Sequence, residues 1–102
     1  MKRAVSKAGP AWVIGHVSIK DAYRWQRYRE SVPATLAPFG GKVVMRGKVA
    51  DTLSGTHRHS DAVVLEFPSV DAARAWHASA AYQELITLRR EAAEVDLIII
   101  AG

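Results

Sequence analysis

The chain contains no cysteine, so neither disulfide bonds nor thiolate chemistry can contribute to its fold or function. This absence fits a reducing compartment, and we expect a cytoplasmic protein. No apolar run is long enough to cross a bilayer. The first ten residues are basic but lack the apolar centre of a secretory signal. We therefore expect no membrane partner.

A basic patch suited to nucleic acid is also missing. The formal net charge is +4, but Lys2, Arg3 and Lys7 account for most of it, within what we interpret as a flexible basic tail over residues 1–10. Beyond that tail, basic and acidic side chains alternate as on solvated helix faces. A nucleic-acid footprint needs clustered basic residues with aromatics between them, so no nucleic-acid partner is expected. The chain also lacks a glycine-rich phosphate loop, a nucleophile elbow and zinc-knuckle spacing.

The order strand, helix, strand occurs twice in the chain. The predicted strands are Trp12–Ile19, Lys42–Arg46, Ala62–Phe67 and Leu97–Ile100. Helices follow the first and third strands, and a second helical segment is expected over Ala80–Val95. This order in a chain of 102 residues predicts one α+β domain over residues 11–102, a ferredoxin-like βαββαβ fold with an antiparallel sheet.

Several residues mark the bounds of these elements. Asp21, Ser69 and Ser79 are suited to cap three helical segments. Pro33 lies within the first helix and predicts a kink there. Gly47 predicts a bulge in the second strand, which would resume over Lys48–Leu53. The last strand is apolar throughout, as expected of a strand covered on both faces.

The two faces of the first strand differ in character. By alternation, one set of side chains lies beneath the helices, namely Val13, Gly15, Val17 and Ile19. The other set lines the uncovered face, namely Trp12, Ile14, His16 and Ser18. An uncovered apolar face needs a partner, so we expect a homodimer formed through this face.

The same alternation brings three functional side chains together. With strands one and three as parallel neighbours and strand two beside the third, His16, Glu66 and Arg46 converge on a cavity between the sheets of two subunits. His16 is then the candidate base, Glu66 orients it, and Arg46 holds an anionic group of the ligand. Structural pairing of Glu66 with Arg46 is the alternative, because buried charges are normally paired.

Other residues are candidates for ligand contact or metal binding. Trp12 lines the uncovered face, and His77 and Tyr82 lie near a break in the second helical region. A further set alternates before the third strand, His57, His59 and Asp61. Such a set suits zinc or non-haem iron, but a solvated hairpin tip is the favoured interpretation, and no metal site is predicted.

The strings VPATLAPFGGK, VVLEFPS, AARAWHAS, AYQEL and LRREAAEVDLIII resemble those of DUF1330, a family of uncharacterised bacterial proteins in the dimeric α/β-barrel superfamily. The resemblance covers residues 11–102 and implies a ferredoxin-like fold whose open sheet pairs with a second subunit. The chain departs from the family pattern at His77, at Ala80–Ala81 and in the hairpin. Superfamily relatives include cofactor-free monooxygenases, isomerases and haem-handling proteins, so the resemblance implies no particular reaction.

Two functions remain open from the sequence. The first is a protein that binds or converts a small, partly apolar molecule between the sheets, without a tightly bound cofactor. The second is a non-enzymatic dimeric interaction module. RNA binding is the weakest alternative, because Ala62, Val64 and Glu66 occupy the strand positions where stacking aromatics would be needed.

Overall fold

The computed structural model describes residues 9–102, and most of the predicted tail at 1–10 lies outside the described residues. The strands are β1 (Ala11–Ile19), β2 (Lys42–Lys48), β3 (Asp61–Phe67) and β4 (Ala93–Ala101). The helices are α1 (Ala22–Leu36), α2 (Val70–Ala78), α3 (Ala80–Gln83) and α4 (Ile86–Ala92), with a 3₁₀ turn at Ala37–Phe39. The order is the predicted βαββαβ.

The strands form one four-stranded sheet in the order β2-β3-β1-β4. Strands β1 and β3 are neighbours as predicted, but they run antiparallel, so the expectation of parallel strands is wrong. The physical reason is that the α1 crossover gives β2 the direction of β1, after which β3 returns along β2 in the opposite direction. All pairings are therefore antiparallel, and the fold is ferredoxin-like.

The helix starts follow the predicted caps. The side chain of Asp21 accepts a hydrogen bond from the Arg24 amide, and Ser69 and Ser79 cap α2 and α3 in the same way. Helix α1 continues through Pro33 to Leu36. The single helical segment predicted over Ala80–Val95 is wrong: it divides into α3 and α4, and β4 already begins at Ala93, where it pairs with the end of β1.

The helices pack on one face of the sheet and enclose the core. Residues Val13, Leu65 and Phe67 contribute to the core from the sheet, as alternation predicts, while Trp76 of α2 is only 1 % exposed. Gly15 leaves room for the Val63 side chain on the neighbouring strand, because a Cβ at Gly15 would lie 2.8 Å from Val63 Cγ1.

Two strand predictions need correction. Strand β4 lies at the sheet edge, and Ile98, Ile99 and Ile100 remain 45, 37 and 41 % exposed, so it is not covered on both faces within one chain. Strand β2 ends at Lys48 rather than resuming to Leu53. Residues 49–60 form neither helix nor strand; this stretch is called the 49–60 segment below. Among residues 9–102, no helix is long and apolar enough to cross a membrane.

Candidate functional site: a cavity beneath helix α1

A cavity of about 360 Å³ lies between the sheet and α1, and is called the helix-side cavity below. Its apolar wall consists of Val17, Ile19, Trp25, Tyr28, Val32, Val43, Val63, Leu65, Trp76, Val95 and Leu97. Charged side chains also line it, namely Arg29, Arg46, Lys48 and Asp61. A mostly apolar cavity of this size with a few polar groups is typical of small-molecule sites.

A bulge in β2 places Arg46 in this cavity. Val43 lies opposite Leu65, but Met45 lies opposite Val64 and Arg46 opposite Val63. The extra residue is Val44, so the bulge predicted at Gly47 lies three residues earlier, and it reverses the alternation of the rest of the strand. Arg46 therefore shares the helix side of the sheet with Val63, and the prediction that Arg46 joins the uncovered face is wrong.

Two of the cationic groups at the cavity are free to meet a ligand. Lys48 Nζ lies 3.6 Å from Asp61 Oδ2 and is paired. Within the described part of the chain, the side chains of Arg29 and Arg46 form no ion pair or hydrogen bond. A guanidinium presents a planar fork of donors that suits a carboxylate or a similar anion.

A chain of hydrogen bonds lies behind the cavity wall. The hydroxyl groups of Tyr28 and Tyr82 are 2.7 Å apart, and Arg89 Nη1 donates to the Tyr82 hydroxyl over 2.9 Å. Burial, with the neighbouring Tyr82 as a second cause, raises the pKa of Tyr28 far above its usual value. Tyr28 is therefore a neutral phenol, able to donate a hydrogen bond but not to act as a base.

The predicted ligand contacts at Tyr82 and His77 lie elsewhere. Tyr82 is 0 % exposed, so it reaches the helix-side cavity only through Tyr28. His77 lines a separate, smaller cavity of about 200 Å³ between α2 and β4, with Trp76 and Ile99. Partial burial, and then the positive charge of Arg89, lower the pKa of His77.

The uncovered face of the sheet, called the open face below, separates the residues predicted to converge there. Glu66 lies opposite Trp12 in the β1–β3 register, whereas His16 lies opposite Ala62. Four residues along a strand correspond to roughly 13 Å, so Glu66 does not orient His16. Glu66 instead pairs with Lys42 Nζ at 3.3 Å, and the predicted trio of His16, Glu66 and Arg46 does not form.

The carboxylate that lies beside an imidazole is Asp96. The 49–60 segment folds over the end of the open face, where His59 Nε2 lies 2.9 Å from Asp96 Oδ2 and Nδ1 lies 2.9 Å from Ser18 Oγ. The His16 ring lies 5.2 Å from that of His57 and 6.2 Å from that of His59, between centroids. Hydrogen bonding from His59, with the neighbouring Arg58 as a further cause, holds the pKa of Asp96 below its usual value.

Asp61 does not join the cluster formed by His16, His57 and His59. It pairs with Lys48 at the helix-side cavity, although alternation placed it with His57 and His59. Within residues 9–102, no group of three or more His, Asp or Glu side chains is arranged to hold a metal ion.

Sequence reasoning missed the cavity residues on α1. Trp25 and Tyr28 of this helix stack against each other, with ring centroids 5.1 Å apart. The missed signal was Arg29, one turn after Trp25 on the same helix face. Asp96 was also missed, although it lies opposite His16 once β4 pairs with β1.

The geometry defines a ferredoxin-like protein with a small-molecule-sized cavity beneath its first helix. Residues 10–102 match the family described as a domain of unknown function, DUF1330. The chain belongs to this family, as the resemblance of its motifs indicated. No curated protein sequence matches the chain.

Solved structures share the fold at low sequence identity. RPA0582, a protein of unknown function from Rhodopseudomonas palustris, has a TM-score of 0.78 and 22 % identity, covering 93 % of this chain and 83 % of that one. SnoaB, a cofactor-independent oxygenase from Streptomyces nogalater, has a TM-score of 0.69 and 12 % identity, covering 93 % and 94 %. A dimeric ferredoxin-like protein of unknown function from Jannaschia sp. CCS1 has a TM-score of 0.66 and 13 % identity, covering 92 % and 100 %.

Proposed function

We propose that this protein binds or converts a small, partly apolar molecule with an anionic group, held in the helix-side cavity. The observation that carries the proposal is an apolar cavity of about 360 Å³ lined by two guanidinium groups without protein partners among the described residues. This placement replaces the cavity expected between the sheets, because the bulge in β2 turns Arg46 to the helix side.

The cavity wall favours a flat or aromatic ligand. Trp25 and Tyr28 stack with an interplanar angle of 29°, and Trp76 also contributes to the wall. Aromatic faces bind apolar rings with large area and defined geometry. The Tyr28 hydroxyl is bonded to Tyr82 behind the wall, so its ring contributes apolar surface, and Arg29 and Arg46 add positive charge. A ring that carries a carboxylate matches this distribution.

One structural neighbour, SnoaB, supports conversion of a small molecule without selecting a reaction. SnoaB has the same fold and is described as a cofactor-independent oxygenase, which supports a reaction without a tightly bound cofactor. A shared fold does not carry a shared reaction, because active sites change while folds persist. The substrate class therefore rests on the residues of this cavity.

Calorimetric titration with 1-naphthoate and with uncharged 1-naphthamide tests the proposal. We expect naphthoate to bind more tightly than naphthamide. Arg46→Gln should weaken naphthoate binding about three- to tenfold, the range of an ordinary net hydrogen bond, because Arg46 is exposed to water, and it should have little effect on naphthamide. Arg27→Gln is the matched control, because Arg27 is exposed on α1 and does not line the cavity. Equal affinities in wild type and Arg46→Gln, or no binding of either probe, would contradict the proposal.

A dimeric interaction module is the second candidate, and the open face favours it. Met45, Ile98 and Ile100 expose 52, 45 and 41 % of their surface there, and related structures are described as dimers. Sedimentation velocity should show that Ile98→Lys shifts a dimer towards monomer, whereas Leu53→Lys, at a 93 % exposed residue of the 49–60 segment, does not. A dimer that persists in wild type while neither naphthalene probe binds would favour this second function.

A further inference from the structure

Three residues form a hydrogen-bonded line across the open face. Ser18 Oγ lies 2.9 Å from His59 Nδ1, and His59 Nε2 lies 2.9 Å from Asp96 Oδ2. They come from β1, the 49–60 segment and β4, and they lie on the opposite side of the sheet from the helix-side cavity. We propose that Ser18, His59 and Asp96 form a nucleophilic site that hydrolyses small, uncharged carboxylic esters.

The carboxylate of Asp96 determines which atoms of His59 and Ser18 carry the protons in this line. Asp96 has a lowered pKa, caused first by the hydrogen bond from His59, and is therefore ionised and can only accept. His59 Nε2 must then donate to it. A neutral imidazole carries a single N–H, so Nδ1 is left as the acceptor for the Ser18 hydroxyl. The serine proton thus points at a base, which is the arrangement that activates a hydroxyl.

The roles match those of a Ser-His-Asp triad, although the two imidazole nitrogens are exchanged. Such triads are recognised by geometry and roles rather than by sequence position. Here the imidazole is held in place: the His59 side chain is 5 % exposed, and the following amide of Ser60 donates to the Val17 carbonyl over 3.1 Å. Arg58 Nη2 lies 3.5 Å from Asp96 Oδ2 and steadies the carboxylate from outside.

His16 supplies a candidate group for the developing oxyanion. Its Nδ1 is buried and has no hydrogen-bond partner among the described residues. A buried nitrogen without a partner is costly, and a ligand oxygen would satisfy it. His16 precedes Ser18 by two residues on the same face of β1, about 7 Å away. An N–H in this position would stabilise negative charge on an ester carbonyl oxygen.

The reaction needs only the ester and water. Ser18 Oγ attacks the carbonyl carbon while its proton passes to His59 Nδ1. The tetrahedral intermediate collapses, and the alkoxide leaves as the alcohol with that proton. Water then attacks the acyl-serine, giving a proton to His59, and Ser18 recovers it as the carboxylic acid departs. Glu94 lies opposite Ser18 and Asp96 lies opposite His16. The single guanidinium of Arg58 pairs with both carboxylates, which leaves one net negative charge beside Ser18, so an uncharged ester is the expected substrate.

Covalent labelling tests the site directly. Wild-type protein is treated with phenylmethylsulfonyl fluoride, and labelled peptides are located by mass spectrometry. We expect sulfonylation at Ser18 and not at Ser60, an exposed serine that hydrogen-bonds Asp61 but no imidazole. Ser18→Ala should abolish the label and the hydrolysis of p-nitrophenyl acetate, while Ser60→Ala should leave both unchanged. Labelling of Ser18 no faster than of Ser60 would overturn the proposal.

Asp96 is a positioning residue that orients His59. Its test separates this role from a purely structural one, in which Asp96 only holds the 49–60 segment in place. Asp96→Asn should slow labelling of Ser18 at least about tenfold, because an amide no longer fixes the His59 tautomer. Asp96→Glu, which restores a carboxylate, should recover part of the rate. The far-ultraviolet circular dichroism and the urea midpoint of each variant show whether it is folded. An unchanged labelling rate in folded Asp96→Asn would refute the triad.

Discussion

Replacing Tyr82 by phenylalanine should reveal how the buried hydroxyl groups behind the cavity stabilise the fold. The Tyr82 hydroxyl accepts from Arg89 Nη1 over 2.9 Å and bonds the Tyr28 hydroxyl over 2.7 Å. Loss of a hydrogen bond to a charged donor costs about 1.5–3 kcal/mol, and leaving the Tyr28 hydroxyl unpaired costs about 1–3 kcal/mol. Because Arg89 is only partly buried and can bond to water instead, we expect Tyr82→Phe to lower the free energy of unfolding by about 2–4 kcal/mol in total.

A double-mutant cycle makes the reasoning quantitative. In Tyr28→Phe, Tyr82 keeps its bond from Arg89, so we expect a smaller loss of about 1–1.5 kcal/mol. The double variant leaves no orphaned hydroxyl, and its loss should be below the sum of the single losses by about 1–2 kcal/mol. Tyr23→Phe is the control, because Tyr23 is 71 % exposed and its loss should stay within about 0.5 kcal/mol.

Urea unfolding followed by circular dichroism measures these free energies. All variants should be compared at one protein concentration, because self-association would raise the apparent stability of each. A Tyr82→Phe loss below about 0.5 kcal/mol would show that water satisfies these hydroxyl groups. Strict additivity in the double variant would show that the two tyrosines do not interact. Either result would refute the buried chain of hydrogen bonds.

Three further predictions concern pH and packing. The raised pKa of Tyr28, caused first by burial, gives stability that is complete below its ordinary value of 10.0 and is lost as pH rises above it; Tyr28→Phe should reduce this alkaline decline in urea titrations. The lowered pKa of Asp96, caused first by the hydrogen bond from His59, gives stability that is complete above the ordinary value of 3.8 and is lost as pH falls through the lower folded value. Asp96→Asn should therefore flatten the acid limb of the stability profile, and an unchanged acid limb would contradict the assignment. Gly15→Ala should lower the free energy of unfolding by about 1–3 kcal/mol through overpacking, because the new Cβ would meet Val63 Cγ1 at 2.8 Å. Gly47→Ala is the control in the same urea assay: its Cβ would have nothing within 4 Å, so its free energy of unfolding should fall much less.

The candidate sites were only partly predictable. His16 was correctly placed on the open face, because side-chain alternation along β1 is a local property of the strand. Its expected carboxylate partner was wrong, since the pairing of β1 with β3 sets Glu66 four residues away along the strand. The helix-side cavity was not foreseen, because its lining comes from α1 and all the strands at once.

The amino-acid sequence by itself determined the element order, the helix caps at Asp21, Ser69 and Ser79, and the two faces of β1 and β3. Each of these depends on residues within about one turn or a few strand positions of one another. Only the tertiary structure decided the side on which Arg46 lies and the meeting of His59 with Asp96. The first depends on a bulge that forms when β2 pairs with β3, and the second on how the 49–60 segment returns across the sheet. Long-range pairing, rather than local pattern, assembled both candidate sites.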